Sequence, residues 1–528
     1  MPAEPRTVRS VLGGRRLLIA LVLALLVPGA LGVAVLSYSR PEPAPTTTAL
    51  RHPSLPQVPD SVALAQLDRS AAATRLAKRL TVPELLTPAR SGTADLSSLP
   101  TLALAPRDTP YSLAELRTLV PAAFSDVPGA PGAVLLDAHV EVPVGAAMVI
   151  DDRTPDVRLP SGPSTFATIV SRGTTTVTGT AGTPVRISTW DPQQQAPDAV
   201  GTDGRSFVLQ IGGRMDVDHG QFEYLGFGTG TSSGVAWRGA APDVAGTAPD
   251  SARIKAQGTV TNSTFAHNHF GAYTHEAQGM RWSGNTFSDN EEYGFDPHDF
   301  SDDFVVENNT AHHNGKHGFI FSRGCERNVL RDNTAYGNSG HGFMIDDGRS
   351  VASATADARI DPSNDNLLTG NTAYDNAGSG VEIEGGTGNV VSDNHLSRND
   401  IGVRLKDRAT ATVTGNLIDD SVRYGVHVLD PTSRVSITGN HISGSWAAVN
   451  LADARSATLG ENPSTDVSTP LVVADVAQRD PSWIERAAQF LRWNPVLVLW
   501  GLILGVPVLV GVSRVVRAPF HRRRVQTT

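Results

Sequence analysis

From about Ala133 onward the chain alternates short apolar runs with Gly, Pro, Asn and Asp. Runs rich in Val, Ile and Thr, cut by such residues, read as strands joined by turns. From residue 262 the alternation becomes a repeat. An Asn near the start of a short strand returns at Asn262, Asn285, Asn309, Asn333, Asn371, Asn394, Asn416 and Asn440, in steps of 23, 24, 24, 38, 23, 22 and 24. Gly271, Gly294, Gly318, Gly342, Gly380, Gly402 and Gly425 recur in phase, each opening an apolar-alternating run. The one long step is filled by residues 348–362, which read as an inserted loop. A period near 23 with several short strands per repeat predicts an all-β chain built as a right-handed parallel β-helix, in which stacked repeats bury a continuous core. The asparagines are expected to be structural, hydrogen-bonding along the stack and satisfying turn backbone.

The repeat supplies a register. After each Gly, the first and third positions are mostly apolar: Phe295 and Pro297, Phe319 and Phe321, Phe343 and Ile345, Val381 and Ile383, Val403 and Leu405. Side chains alternate along a strand, so these point inward and the second and fourth point outward. Rungs stack about 4.8 Å apart, so outward residues form columns. The second-position column reads Tyr273, Asp296, Ile320, Met344, Glu382, Arg404 and His427. The fourth reads Arg238, His275, His298, Ser322, Asp346, Glu384 and Lys406. His317 and His341, each before a Gly at equivalent rungs, are expected to serve the turn.

The two ends read differently. An apolar stretch from about Leu17 to Leu36 follows Arg15 and Arg16 and is long enough to span a bilayer. Basic residues before it put the N-terminus in the cytoplasm, with a cleaved signal peptide as the competing reading. A second stretch, about Pro495 to Val512, precedes Arg514, Arg517, Arg522, Arg523 and Arg524, a cluster that again marks the cytoplasmic side. The expected organisation is a cytoplasmic terminus and anchor over 1–39, a Pro-rich linker and a small segment with weakly helical runs around Val62–Leu80 and Ser112–Phe124 over 40–125, and the β-helix over 130–460. A linker and amphipathic helix over 461–493, a membrane span over 494–513 and a basic tail over 514–528 complete it. The solenoid is thus expected at the cell membrane, on its extracytoplasmic side.

Composition narrows the picture further. With 50 Gly and 35 Pro in 528 residues, the chain suits a solenoid better than a helical fold. A net charge of −9 argues against a nucleic-acid partner. The single Cys325 excludes a disulfide within the chain and a cysteine-based metal site, and is expected to be a buried thiol. Ionisable residues crowd one face, and its distinctive cluster is Tyr293, Asp296, His298, Asp299, Lys316, His317 and Arg323 on two adjacent rungs, with Tyr293 on an inward-parity position just before Gly294. Such a set suits proton abstraction alpha to a carboxylate, which needs a cation or donor for the carboxylate, a base on one face and a proton donor on the other. The planar fork of Arg matches a carboxylate, and His serves as base near neutral pH.

The run Tyr293-Gly-Phe-Asp296-Pro297-His298-Asp299 resembles the signature of mannuronan (alginate) C5-epimerases, and Lys316-His317-Gly318 to Ser322-Arg323 is similar to the stretch that follows it in the periplasmic, biosynthetic members. Residues 222–228 (FEYLGFG), 234–237 (GVAW) and the region from Val149 to Leu159 are also similar, so the resemblance covers about residues 130–455. It implies C5-epimerisation of uronate residues in an acidic polysaccharide. Arg323 would neutralise the substrate carboxylate, His298 would abstract the C5 proton, and Asp296 would orient or support the histidine or the carboxylate. Tyr293, or a water, would reprotonate C5 from the opposite face. Asp299, Lys316, His275, Tyr273, Ser322 and Arg238 are the expected substrate-binding residues. The Gly- and Asp-rich nonapeptide modules of the secreted calcium-dependent members are not found, so no metal and no cofactor is expected. Polysaccharide export or assembly proteins are a further class of partner. A polysaccharide lyase, which shares the first step, and a non-catalytic glycan-binding or export scaffold are the alternatives.

Overall fold

The computed structural model describes residues 80–81, 99, 101–162, 165–201, 204–228, 232–240, 254–349, 360–429, 433–451, 454 and 456–472. Three long sheets wrap these residues into a parallel β-helix. One rung runs from Arg281–Ser283 through Thr286–Ser288 to Phe295–His298, with one strand in each sheet. The strands opened by the recurring glycines form what we call the front sheet: Ala272–His275, Phe295–His298, Phe319–Ser322, Phe343–Asp346, Ser379–Glu384, Ile401–Lys406 and Tyr424–Val428. The glycines are required by the close approach of rungs. A Cβ at Gly294 would lie 2.5 Å from the Gly318 carbonyl oxygen and 2.9 Å from Asn314 Nδ2.

Neighbouring front strands pair in the register expected from the repeat, Tyr273 with Asp296, His275 with His298, and His298 with Ser322. The inward set is fully buried, including Phe295, Phe319, Phe321, Phe343, Ile345, Val381, Ile383, Val403 and Leu405. Identical positions stack on one another, as Phe319 on Phe343 at 5.0 Å with rings 4° apart. Trp282 meets Phe295 at 4.4 Å, so second and front sheets share one core. Cys325 is buried in that core, its Sγ 3.3 Å from the Ser322 carbonyl, and burial pushes its thiol up.

The asparagines form continuous buried ladders. Asn309 Nδ2 donates to Asn333 Oδ1 at 2.9 Å, and Asn333 Nδ2 to Asn371 Oδ1 at 3.0 Å, while each Oδ1 also accepts the backbone N–H of the asparagine one rung earlier. This ladder runs from Asn285 through Asn440 to Asn462. Asn262 is not part of it. That residue is exposed and donates to Asp218, and Ser263 holds the ladder position, its N–H donating to Asn285 Oδ1 at 3.0 Å. Two further ladders, Asn268 to Asn399 and Asn328 to Asn389, were not singled out in the sequence.

The solenoid begins before the expected residue 130. Thr101–Ala103 pairs in parallel with His139–Val142, and Tyr111–Ser112 with Ala147–Asp151. The weakly helical expectation over Ser112–Phe124 resolves into the helix Leu113–Leu119, capped by Ser112 Oγ accepting from Glu115 N–H at 3.1 Å, with Leu113 and Leu116 buried. It also extends past 460, since Thr469–Val472 pairs with Ala447–Asn450. The apolar stretches Leu17–Leu36 and Pro495–Val512, and the helical reading of Val62–Leu80 apart from Leu80 itself, lie outside the described residues. Among the described residues no helix is long and apolar enough to cross a membrane.

Replacing Asn333 with Ala orphans the Val306 carbonyl and the Asn309 N–H inside the solenoid. The expected loss is about 2–4 kcal/mol, against under about 0.5 kcal/mol for Asn262→Ala outside the ladder. Urea unfolding midpoints of the two variants check this difference.

Candidate active site

The outward columns of the front sheet are the floor of the site. In the fourth column Arg238 pairs with His275, His275 with His298, and Ser322 with Asp346. Arg238 and Ser322 are nearly sealed, whereas the His298 side chain is 31% exposed, open enough to meet a ligand.

Asp299 organises this floor. It follows its strand directly and adopts φ +35°, a left-handed turn conformation that Asp tolerates. The backbone role and the chemical role therefore coincide, because the turn folds the carboxylate back over the sheet. Its oxygens accept from both Nε and Nη2 of Arg323, which occupies the same turn position one rung on with φ +53°. His275 Nε2 lies 3.2 Å from Oδ2, and His298 Nδ1 lies 2.9 Å from Oδ1 in a close but poorly aligned contact. Burial alone would raise Asp299, but His275, His298 and Arg323 hold it far below the usual carboxylate range. Burial depresses His298, yet Asp299 and Asp296 outweigh it and raise the imidazole above its ordinary value. His275, with Arg238 beside it, is instead depressed, chiefly by burial.

Asp296 is expected to support either the histidine or the substrate carboxylate. Among the described residues it makes no hydrogen bond to His298. The carboxylate facing the histidine is Asp299. Asp296 is 1% exposed, and its Oδ1 is buried without a hydrogen bond. Its neighbours in the second column are Tyr273 on one side and Ile320, then Met344, on the other. In that apolar setting burial, with Asp299, Asp346 and Glu292 nearby, lifts Asp296 to about 7 against the pull of His298. The Tyr273 ring lies 5.8 Å from that of His298.

One wall of the groove is aromatic. Tyr293 has inward parity in the sequence but sits outside the core, half-buried against the outer cluster at Phe270, 5.2 Å away. His317 stacks on its other face at 5.4 Å, and Lys316 Nζ lies 5.3 Å over the ring while pairing with Glu292. Burial pushes the Tyr293 phenol well up, so it stays protonated.

The floor has distinct ends. Upstream, the outward positions Val170, Leu209 and Ala236 are buried beneath Phe166, Phe227 and Phe270. Downstream lies a network missed in the sequence, where these residues appear only as column members. Glu382 meets His341 Nε2 at 3.1 Å, Arg404 at 3.0 Å and Lys406 at 3.3 Å, and Lys406 also meets Glu384 at 3.1 Å. Their register, two apart on neighbouring strands, is the signal that could have found it. Among the described residues, Asp346, Asp347 and Glu384 bring carboxylate oxygens within 4.8 Å of one another, a spacing that suits a cation. Arg349 pairs with Asp347 at 2.9 Å and Lys406 with Glu384, so the trio already has protein counter-charges.

Taken together, a raised imidazole, a bound guanidinium, an unbonded carboxyl near neutrality and a protonated phenol surround one stretch of floor. Such a set can take a proton from carbon, neutralise an adjoining carboxylate and return a proton.

The family model for the right-handed beta helix region matches residues 245–357 and 351–464. The chain is 30% identical over 217 residues to the mannuronan C5-epimerase of Pseudomonas syringae pv. tomato, a match covering 40% of this chain and 38% of that protein. It is 28% identical over 197 residues to the mannuronan C5-epimerase of Pseudomonas aeruginosa, covering 37% of this chain and 34% of the relative. The matched segment thus spans little more than a third of these relatives' length. The crystal structure of the periplasmic alginate epimerase AlgG superposes with a TM-score of 0.55 at 21% identity, over 71% of this chain and 85% of that one. That likeness speaks for the fold. By its solenoid the chain is a right-handed parallel β-helix, and over the matched segment its sequence is similar to that of mannuronan C5-epimerases.

Proposed function

We propose that the front-sheet groove catalyses C5-epimerisation of uronate units in an acidic polysaccharide, converting mannuronate to guluronate. The observation that carries this reading is the convergence of His298, Asp299 and Arg323 on adjacent rungs beside an unbonded Asp296. It occurs in a chain similar to proteins named as mannuronan C5-epimerases.

In this mechanism His298 is the base. Asp299 faces Nδ1, which leaves Nε2 toward the groove to take the C5 proton. The electrons pass into the substrate carboxylate, where Arg323 stabilises the added charge. Asp299 takes Nε–H and one N–H of Nη2, so the two N–H groups of Nη1 and the second of Nη2 remain for substrate. Asp296, near neutrality, is available in its acid form to hydrogen-bond the substrate carboxylate rather than repel it. Tyr293, or a water beside it, returns a proton to the opposite face of C5. His275, Arg238, Tyr273, Ser322 and Lys316 line the floor and wall that hold the polymer. We further propose that Leu17–Leu36 and Pro495–Val512 anchor the solenoid on the extracytoplasmic face of a membrane, where export or assembly proteins would deliver the polymer.

Proton NMR of polymannuronate incubated with the protein in deuterated water tests the reaction. Guluronate signals carrying deuterium at C5 are expected, whereas unsaturated chain ends would mean a lyase. His298→Asn should lower kcat by about 10³-fold or more with an unchanged unfolding midpoint. A base must be deprotonated to act, so kcat/KM should fall as pH drops through the raised His298 pKa, with its acid limb above the ordinary value near 6.5. Asp299→Asn removes the main charge that raises His298 and leaves burial dominant. The imidazole should then titrate lower, which histidine NMR would detect directly.

A further inference from the structure

His317 and His341 hold the same place on successive rungs, each before the glycine that opens a front strand. Their rings stack at 4.7 Å and lie 17° apart. His317 Nδ1 accepts the backbone N–H of His341 at 2.9 Å, and His341 Nδ1 accepts that of Ser379 at 2.8 Å. A ring nitrogen that accepts carries no proton, so in both neutral rings the proton sits on Nε2. Two near-parallel rings pinned at the same atom aim their Nε2–H groups in the same direction, toward the second outward column.

The two donors differ in what they meet. His341 Nε2 lies 3.1 Å from Glu382 Oε2, and Glu382 is the second-column residue of the next rung. The residue that pairs with Glu382 one rung earlier, and so faces His317, is Met344. A thioether is a weak acceptor where the next rung has a carboxylate. Among the described residues no group accepts from His317 Nε2, and that atom is not sealed from solvent. Burial, with His341, Lys316 and Lys406 nearby, keeps the ring well below its ordinary pKa, so it stays neutral across the physiological range. A fixed donor is thus left facing the groove on the rung of Ser322, one rung from the His298 strand.

We propose that His317 is a substrate-binding residue, a neutral N–H donor held in one tautomer that takes an acceptor oxygen of the uronate unit next to the one at His298. This rests on the epimerase reading above. The turn contact at Nδ1 and the substrate contact at Nε2 are separate functions of one ring. The first fixes the second.

The two functions separate by substitution. His317→Asn keeps an acceptor near the Nδ1 position and loses the Nε2 donor, whereas His317→Gln reaches the Nε2 position with an amide N–H and loses the acceptor. Binding of a mannuronate hexamer by calorimetry, and kcat and KM from deuterium incorporation at C5, are to be measured on the full chain. The Asn variant is expected to unfold at the wild-type midpoint, to bind the hexamer about 5–10-fold more weakly and to raise KM by the same factor with kcat within about twofold. The loss should be equal at pH 6 and pH 8, because the donor does not titrate there. The Gln variant should unfold earlier yet bind within about twofold of wild type. An Asn variant with wild-type affinity and KM, or a Gln variant that binds as weakly as Asn, overturns the assignment. A wild-type protein that neither binds the hexamer nor incorporates deuterium defeats the epimerase reading itself. An active wild type beside an unaffected Asn variant removes only the role of His317.

Discussion

The structure depends on the exact repetition of one spacing. Parallel strands in register place equivalent residues of successive repeats directly above one another, about 4.8 Å apart. Anything polar in the interior must therefore be satisfied by its own counterpart on the next rung. The asparagine ladders meet that demand, each side chain donating along the axis and accepting from the backbone behind it. The same spacing forces glycine where backbones crowd, and lets rings such as Phe319 and Phe343 stack almost parallel. A one-residue slip would invert every strand and put the polar columns in the core.

The site uses the same regularity outside the core. Columns assemble residues far apart in sequence, and the turn after each front strand adds a side chain at the column's edge. Glu276, Asp299, Arg323 and Asp407 all adopt positive φ at that turn. At most rungs such a turn is merely a corner. At Asp299 and Arg323 it brings opposite charges together beside His298, whose side chain stays open. Low dielectric then does the chemical tuning. Asp296, without a hydrogen bond among Tyr273, Ile320 and Met344, sits near neutrality, while Asp299, bound by three cationic or potentially cationic groups, stays ionised. Two carboxyl groups three residues apart are thereby shifted in opposite directions.

The groove is bounded by the way neighbouring rungs use the same columns. Upstream the outward positions turn apolar and are covered by phenylalanines. Downstream Glu382, Arg404, Lys406 and Glu384 satisfy one another. Between these ends lie the rungs whose polar groups are not consumed by the protein, and it is there that Asp296, His298 and His317 keep unfilled hydrogen-bonding capacity.

The amino-acid sequence by itself determined the solenoid, its period, the inward and outward parity of the front strands and the columns that carry the chemistry. A repeat near 23 residues with several short alternating strands is met by stacking rungs into a parallel β-helix, and periodicity is local information. Tertiary structure decided what periodicity does not encode. It excluded Asn262 from the ladder because the neighbouring Ser263 occupies the stacking position, and it extended the solenoid to Thr101 through strands too short to show a pattern. It moved Tyr293 from a core parity to the groove wall, where the chain is leaving a turn and strand alternation does not yet apply. It also set the Asp299 carboxylate against the histidine, because the direction of a carboxylate is set by a turn's φ and by which cations converge on it, and these are properties of three rungs packed together.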